Sequence, residues 1–269
     1  MFKSGSHQSS HSYLLILLVL TYFCGIINMV LRKSAFALSA LSALAFGVMV
    51  GAESNAISAV FANGCYWGRQ YLFAHDLELV ALKRKPSEVT AITGYFGGDT
   101  TTKKACYDNK ENEDVYVGLN HSEAVKVELS NADELSQALE LYFSSFIELA
   151  PKVYGREDYF DRGKQFRAIV GVPGGVKGVF FPLIAQANKN GMKLVDGDAV
   201  TAQEDTLGKN MVYVTDSEKG RFYQAELCLQ FHNNQTSHYP QAYHDLEKAL
   251  FSDGRLRDTG CPVPFPCSK

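Results

Sequence analysis

The chain has no CxxC pair, no block of lysines and arginines, no internal repeat and no long linker after residue 55. Each absence removes a class of protein. Six cysteines, at 24, 65, 106, 228, 261 and 267, are too few and too spread for a disulfide scaffold or a CxxC zinc site. Their number leaves the redox compartment open. The 26 Lys and Arg are scattered against 29 Asp and Glu, for a net charge of -3, so nothing points to a nucleic-acid partner. His232, His238 and His244 are each six apart, which suits neither one helix face nor zinc, so they are expected at the surface or in loops. No metal or other cofactor is expected. The glycine-rich "GVPGGVKG" (171–178) lacks the Lys-Ser/Thr of a phosphate loop and reads as a turn. Tryptophan occurs once, as Trp67, two residues from a cysteine.

What is present is enough for a full core: 269 residues, 46% of them hydrophobic. Residues 13–31 are mostly apolar, and after "RK" a second apolar run of small residues follows. Read from Met1, the first run is long enough to span a bilayer; read from Met29, the second has the form of a signal peptide. Residues 1–54 are thus expected to target the chain to the secretory pathway or anchor it in a membrane, with a plastid as the alternative. The catalytic-sized domain runs over 55–250, and 251–269, with prolines and two cysteines, is expected to be an irregular, flexible tail.

Within 55–250, "AISAVFA" (56–62) reads as a buried strand and the stretch after Cys65 as the start of a helix. "EVTAITGYFGG" (88–98) is a strand ending in a Gly-Gly turn, and "SEAVKVEL" (122–129) alternates as a strand. Leu135, Ala138, Leu139, Tyr142, Phe143 and Phe146 form one helical stripe, with Asn131 and Glu134 placed as a capping box. "QFRAIVGV" (165–172) is a further strand, and two helices are expected over 221–232 and 239–250. Strand, helix, strand, strand, helix, strand is the order of an α/β plait: a ferredoxin-like split βαβ sheet with helices packed on one face.

Cys65 therefore falls at a helix N-terminus, where free N–H groups and the helix dipole favour a thiolate. A small buried hydrophobe is the plainer use of such a cysteine. The flanking residues go further. "GCYWG" (64–68) resembles the GCFWG motif of the A-type peptide methionine sulfoxide reductases. In the same order, "TGYFGG" (93–98), "NHSEAVKV" (120–127), "DRGKQFRAIV" (161–170) and "FYQAE" (222–226) are similar to four further blocks of that family.

The resemblance implies reduction of methionine-S-sulfoxide, free or in proteins, as repair after oxidation by a monomeric enzyme using a thioredoxin-like dithiol. It implies Cys65 as the nucleophile, Glu123 as the acid, Asp161 in the polar network of the site, and Tyr66, Trp67 and Phe166 around the substrate. It implies a resolving cysteine in the tail, Cys261 or Cys267, with Cys106 as runner-up; Cys228 is expected to be inert core. The family's two oxygen-binding tyrosines are missing: Asn112 and Phe166 stand in their places, and Asn120 replaces a glycine. Tyr107 is the nearest replacement hydroxyl. Two readings stay open, an active or slow reductase and a methionine-binding module without turnover.

Overall fold

Alternation along "ISAVFA" sends Ile57, Ala59 and Phe61 to one hydrophobic cluster and Val60 and Ala62 to another, so the strand is buried on both faces. The computed structural model describes residues 56–109, 114–197, 202–232 and 237–267. The expected targeting segment 1–54 and Asn112 lie outside the described residues. Ser54–Lys269 forms one compact unit. Among the described residues no helix is long and apolar enough to cross a membrane.

The strands are β1 (Ile57–Ala62), β2 (Ile92–Phe96), β3 (Ser122–Leu129), β4 (Ile147–Ala150), β5 (Val153–Gly155), β6 (Ile169–Val172), β7 (Lys193–Asp196), β8 (Met211–Asp216) and β9 (Tyr223–Gln224). The helices are α1 (Tyr66–Tyr71, continued by a wider π-type stretch Leu72–Ala81), α2 (Ala132–Ser144), α3 (Phe181–Ala187), α4 (Gln241–His244) and α5 (Leu246–Ser252). Seven strands form one mixed sheet in the order β7-β8-β6-β1-β3-β2-β9, and β4 pairs with β5 separately. From β6 through β1, β3 and β2 to β9 each neighbour is antiparallel. Beyond β6 the sheet turns parallel, β6 with β8 and β8 with β7.

The α2 stripe behaves as its spacing predicts, with Leu135, Ala138, Leu139, Tyr142 and Phe143 buried. Asn131 caps it, its side chain accepting from the amides of Asp133 and Glu134. Glu134 reaches back one residue further than a capping box requires, to the Ser130 amide.

Five expectations are corrected. Residues 221–232 do not form a helix. Tyr223 and Gln224 pair with β2, and the chain then turns through Leu227–His232 with Gln230 extended and Phe231 left-handed. The cause is Gln230, whose buried amide accepts from Thr93 N and donates to Thr93 O, replacing a strand partner with a side chain. The 165–172 strand begins only at Ile169, because Gly163 (φ +113) leads into a tight turn over Lys164–Phe166. The tail is irregular but tethered, since Cys106 bonds to Cys261 and Cys228 to Cys267, with Cα separations of 5.7 and 6.1 Å. Cys228 is therefore not inert core. His232 and His244 are buried, not superficial, and the His244 ring nitrogens meet the carbonyls of Phe231 and Tyr239.

Asn131→Ala should lower the unfolding free energy by about 1 kcal/mol, the ordinary worth of an N-cap. The check is a urea midpoint shifted at unchanged m value. A midpoint equal to that of the parent chain would show that the cap adds nothing beyond the packed stripe.

Candidate active site

The turn between β1 and α1 is built around Gly64, at φ +76. A Cβ there would stand 3.0 Å from Arg156 and 3.2 Å from the Asp161 carboxylate, so only glycine lets the two come this close. The next residue, Cys65, caps α1 with an extended backbone and without a side-chain cap bond. The first two amides instead find carboxylates from distant parts of the chain. Cys65 N donates to Asp161 Oδ2 at 2.7 Å, and Tyr66 N donates to Glu123 Oε2 at 3.0 Å.

Glu123 is the second residue of β3, on the face that also presents Val125, Val127 and Leu129 to the core beneath α1. It is 3% exposed. Its other oxygen accepts from the Tyr116 hydroxyl at 3.0 Å. Burial pushes its pKa up to about 8; the Tyr66 amide, the Tyr116 hydroxyl and the Cys65 thiol resist, and the Asp161 charge adds to the rise. It does not pair with Lys126, which bonds Glu128.

Cys65 is half-buried and is the free thiol among the described cysteines. Its pKa is raised, first by burial and then by the charge of Glu123, against backbone bonds from Trp67 and Gly68. The expected lowering by the helix N-terminus is thus reversed. The Trp67 and Gly68 amides do favour a thiolate, but burial outweighs them, and the charges of Glu123 and Asp161 oppose a second anion. Cys65 and Glu123 form a coupled pair that holds its protons near neutral pH.

A cavity of about 390 Å³ opens over this turn, lined among others by Cys65, Trp67, Arg69, Asp161, His232 and Tyr239. The Trp67 indole is fixed by an Nε1–H bond to Leu229 O at 2.9 Å and lies against the His232 ring. Of the residues expected around the substrate, only Trp67 lines this cavity. Tyr66 is 1% exposed and points into the core, with Tyr95 among its ring neighbours. Phe166 acts through its carbonyl, which accepts from Gly64 N and Arg156 Nη1, both at 3.0 Å. Glu123 lies beneath the cavity and touches the Cys65 turn from below. His121 stays apart from Cys65: its Nδ1 accepts from Gly98 N, and its ring meets Tyr223 edge-on. Asn120, at φ +68, does adopt the left-handed turn expected where the family has glycine.

Tyr116, which none of the motif blocks contains, also reaches Glu123. It stands seven residues before Glu123 in "DVYVGLNHSE", a position from which a loop can return a phenol to the strand it feeds. Tyr107 packs on Tyr116 with ring centroids 5.7 Å apart. Its pKa is pushed up to about 12, first by burial and then by the charges of Glu123 and Cys65. Both phenols therefore belong to this site. The resolving candidates are all engaged, Cys106 with Cys261 and Cys267 with Cys228, so any of them must be freed by disulfide exchange before it can meet Cys65.

No family model matches the chain, and no curated protein matches it. The chain is similar to several solved structures, two of which are the following. Methionine sulfoxide reductase A of Corynebacterium diphtheriae shares 19% identity over 70% of this chain and 80% of its own, with a TM-score of 0.42. Mxr1 from Saccharomyces cerevisiae in reduced form shares 15% identity over 69% and 89%, with a TM-score of 0.41.

The raised pKa of Glu123 has a consequence for stability. Its folded value of about 8 lies above the ordinary 4.5, so the folded state holds a proton that the unfolded state releases between those values. Its stabilising contribution is full below about pH 4.5 and is lost as pH rises through 8. The loss is at most about 1.4 kcal/mol per pH unit. Glu123→Gln removes this titration, so the parent chain should lose stability relative to the variant from pH 5 to pH 8 in urea melts. Parallel stability curves would mean that Glu123 is ionised in the fold.

Proposed function

We propose that this chain reduces methionine sulfoxide, as the S-epimer, through Cys65. The carrying observation is the buried Glu123 carboxyl, bonded to the amide that follows Cys65 and pushed up to about 8. A sulfoxide is a poor electrophile until its oxygen takes a proton. A carboxyl that stays protonated at neutral pH beside a sulfur nucleophile supplies that proton. The order β6-β1-β3-β2, with α1 and α2 in its two crossovers, supports the split βαβ plait implied by the motifs.

In this reading Cys65 Sγ attacks the sulfoxide sulfur as Glu123 gives its proton to the oxygen, and the Cys65 thiol proton returns to Glu123. The S–O bond breaks and the hydroxyl passes to Cys65. Cysteine becomes a sulfenic acid, a two-electron oxidation, and the sulfoxide becomes the thioether. A dithiol then restores the thiol, leaving as its own disulfide with one water. Trp67 offers an apolar wall for the substrate methyl group, and Asp161 holds the Cys65 backbone in place. Cys261, Cys267 and Cys106 serve as resolvers only after the dithiol has opened their bridges. Residues 1–54 remain the proposed targeting or anchoring segment.

The binding-module alternative rests on the tyrosine hydroxyls missing at Asn112 and Phe166. Tyr116 and Tyr107 bring two phenols to the same pair from another loop, which favours turnover.

The test is turnover of the separated epimers by the full chain with dithiothreitol. S-epimer reduction should be abolished by Cys65→Ser and lowered about 10²- to 10⁴-fold by Glu123→Gln. The rate should fall above about pH 8, as Glu123 loses its proton. Tyr116→Phe removes a donor that favours the Glu123 anion, so its alkaline limb should move to higher pH. A folded chain that binds methionine sulfoxide and turns over neither epimer would establish the binding module instead.

A further inference from the structure

The glycine-rich segment after β6 is more than a turn. Because β6, β8 and β7 run parallel, their carboxyl ends open at one edge of the sheet. There the chain leaves β6 through Gly174 and Gly175, at φ +78 and +54, while β7 ends at Asp196 and β8 at Asp216. A Cβ on Gly175 would lie 2.8 Å from the Asp216 amide, so this loop is seated on the end of β8 and offers bare main chain. Between these ends lies a cavity of about 350 Å³, within the usual range for a small-molecule site. It shares no lining residue with the cavity at Cys65. Ligand pockets in α/β sheets commonly open outside the carboxyl ends of parallel strands.

The polar groups around it are not all satisfied from within. Thr215, only 5% exposed, lines the cavity with a buried Oγ1 that has no hydrogen-bond partner. Asp216 is occupied, accepting from Gly174 N and Glu218 N and pairing with Lys219 at 3.1 Å. Lys177 and Asp196 stand exposed at the rim, and among the described residues neither is in an ion pair.

This arrangement sorts the ligand. A glycine loop with a lysine beside it receives an anionic group that approaches the main chain closely. Asp196 ends β7, which follows β6 in sequence but lies beyond β8 in the sheet, and as a carboxylate lining the same cavity it can accept from ribose hydroxyls. We propose that this cavity is a second site, for a small phosphorylated ribose of mononucleotide size. Lys177 faces the phosphate, Asp196 accepts from the ribose, and Thr215 Oγ1 bonds the ligand from the floor. Binding here is independent of the chemistry at Cys65.

The full chain is titrated calorimetrically with the four ribonucleoside 5′-monophosphates, and with adenosine and inorganic phosphate alone. At least one monophosphate should bind saturably, with adenosine and phosphate each about tenfold or more weaker. Lys177→Ala should weaken that monophosphate about tenfold or more, the worth of one charge-assisted bond. Asp196→Asn should weaken it severalfold, about 3 to 10. Both positions are exposed, so the variants should melt with the parent chain, and Cys65→Ser should bind unchanged. No saturable binding of any monophosphate overturns the site. Binding indifferent to Lys177→Ala and Asp196→Asn also overturns it, as does phosphate binding as tightly as any monophosphate, which leaves an anion contact and no ribose.

Discussion

Two carboxylates bonded to the first two amides of α1 set the terms for everything around Cys65. A helix N-terminus normally offers free amides to an anion, and a cysteine placed there gains acidity. Here Asp161 and Glu123 bond the Cys65 and Tyr66 amides, at 2.7 and 3.0 Å. The Trp67 and Gly68 amides still favour a thiolate, but burial and the charge of Glu123 outweigh them. What remains is a thiol over a protonated acid, two groups whose protons are coupled. Such a pair suits a substrate that must be protonated as it is attacked.

Holding two acids at one helix end requires rigid supports, and two buried arginines provide them. Arg156, 3% exposed, binds the carbonyls of Asp161 and Phe166 and grips Asp205 with both oxygens. Arg167 is fully buried and donates to the carbonyls of Lys164, Gly97 and Asn120. It thereby fixes the turn after β2 and the turn before β3, which sets where Glu123 enters the sheet. The disulfide at Cys106 adds a third support. Cys106 accepts from the Tyr116 amide, so the bridge to Cys261 holds the loop that delivers the phenol to Glu123. A tether far from the sulfur in sequence thus reaches the acid through two hydrogen bonds, one at the Tyr116 amide and one at its hydroxyl.

Helix α2 and strand β3 are legible in apolar residues that recur with a period of 3.6 or two, and β1 and β2 as short apolar runs bounded by turn residues. The 221–232 segment defeated the same method. Its apolar spacing fits a helix, but Gln230 bonds both main-chain groups of Thr93, a partner 137 residues away, and no local pattern encodes that. The disulfides escaped for a similar reason. Their separations of 155 and 39 residues carry no spacing rule once the CxxC form is absent. Burial of His232 and His244 follows from that misread segment, since both contact the turns that replaced the helix.

At the site, Cys65, Glu123, Asp161 and Trp67 were legible because side chains carry their chemistry and motifs record side chains. Orientation was not. Tyr66 turned inward and Phe166 contributed a carbonyl, since neighbours in a motif need not share a face of the fold. Tyr116 was missed because a loop of variable length delivers it, so only the hydrogen bond to Glu123 identifies it. The parallel edge is the extreme case. Its loop offers mainly main chain, shaped by Gly174 and Gly175, and a glycine in a sequence says only that a side chain is missing. It takes the parallel pairing of β6, β8 and β7 to turn those missing side chains into the wall of a cavity. The antiparallel half of the sheet states its chemistry in residues; the parallel half states it in topology, which only a fold can display.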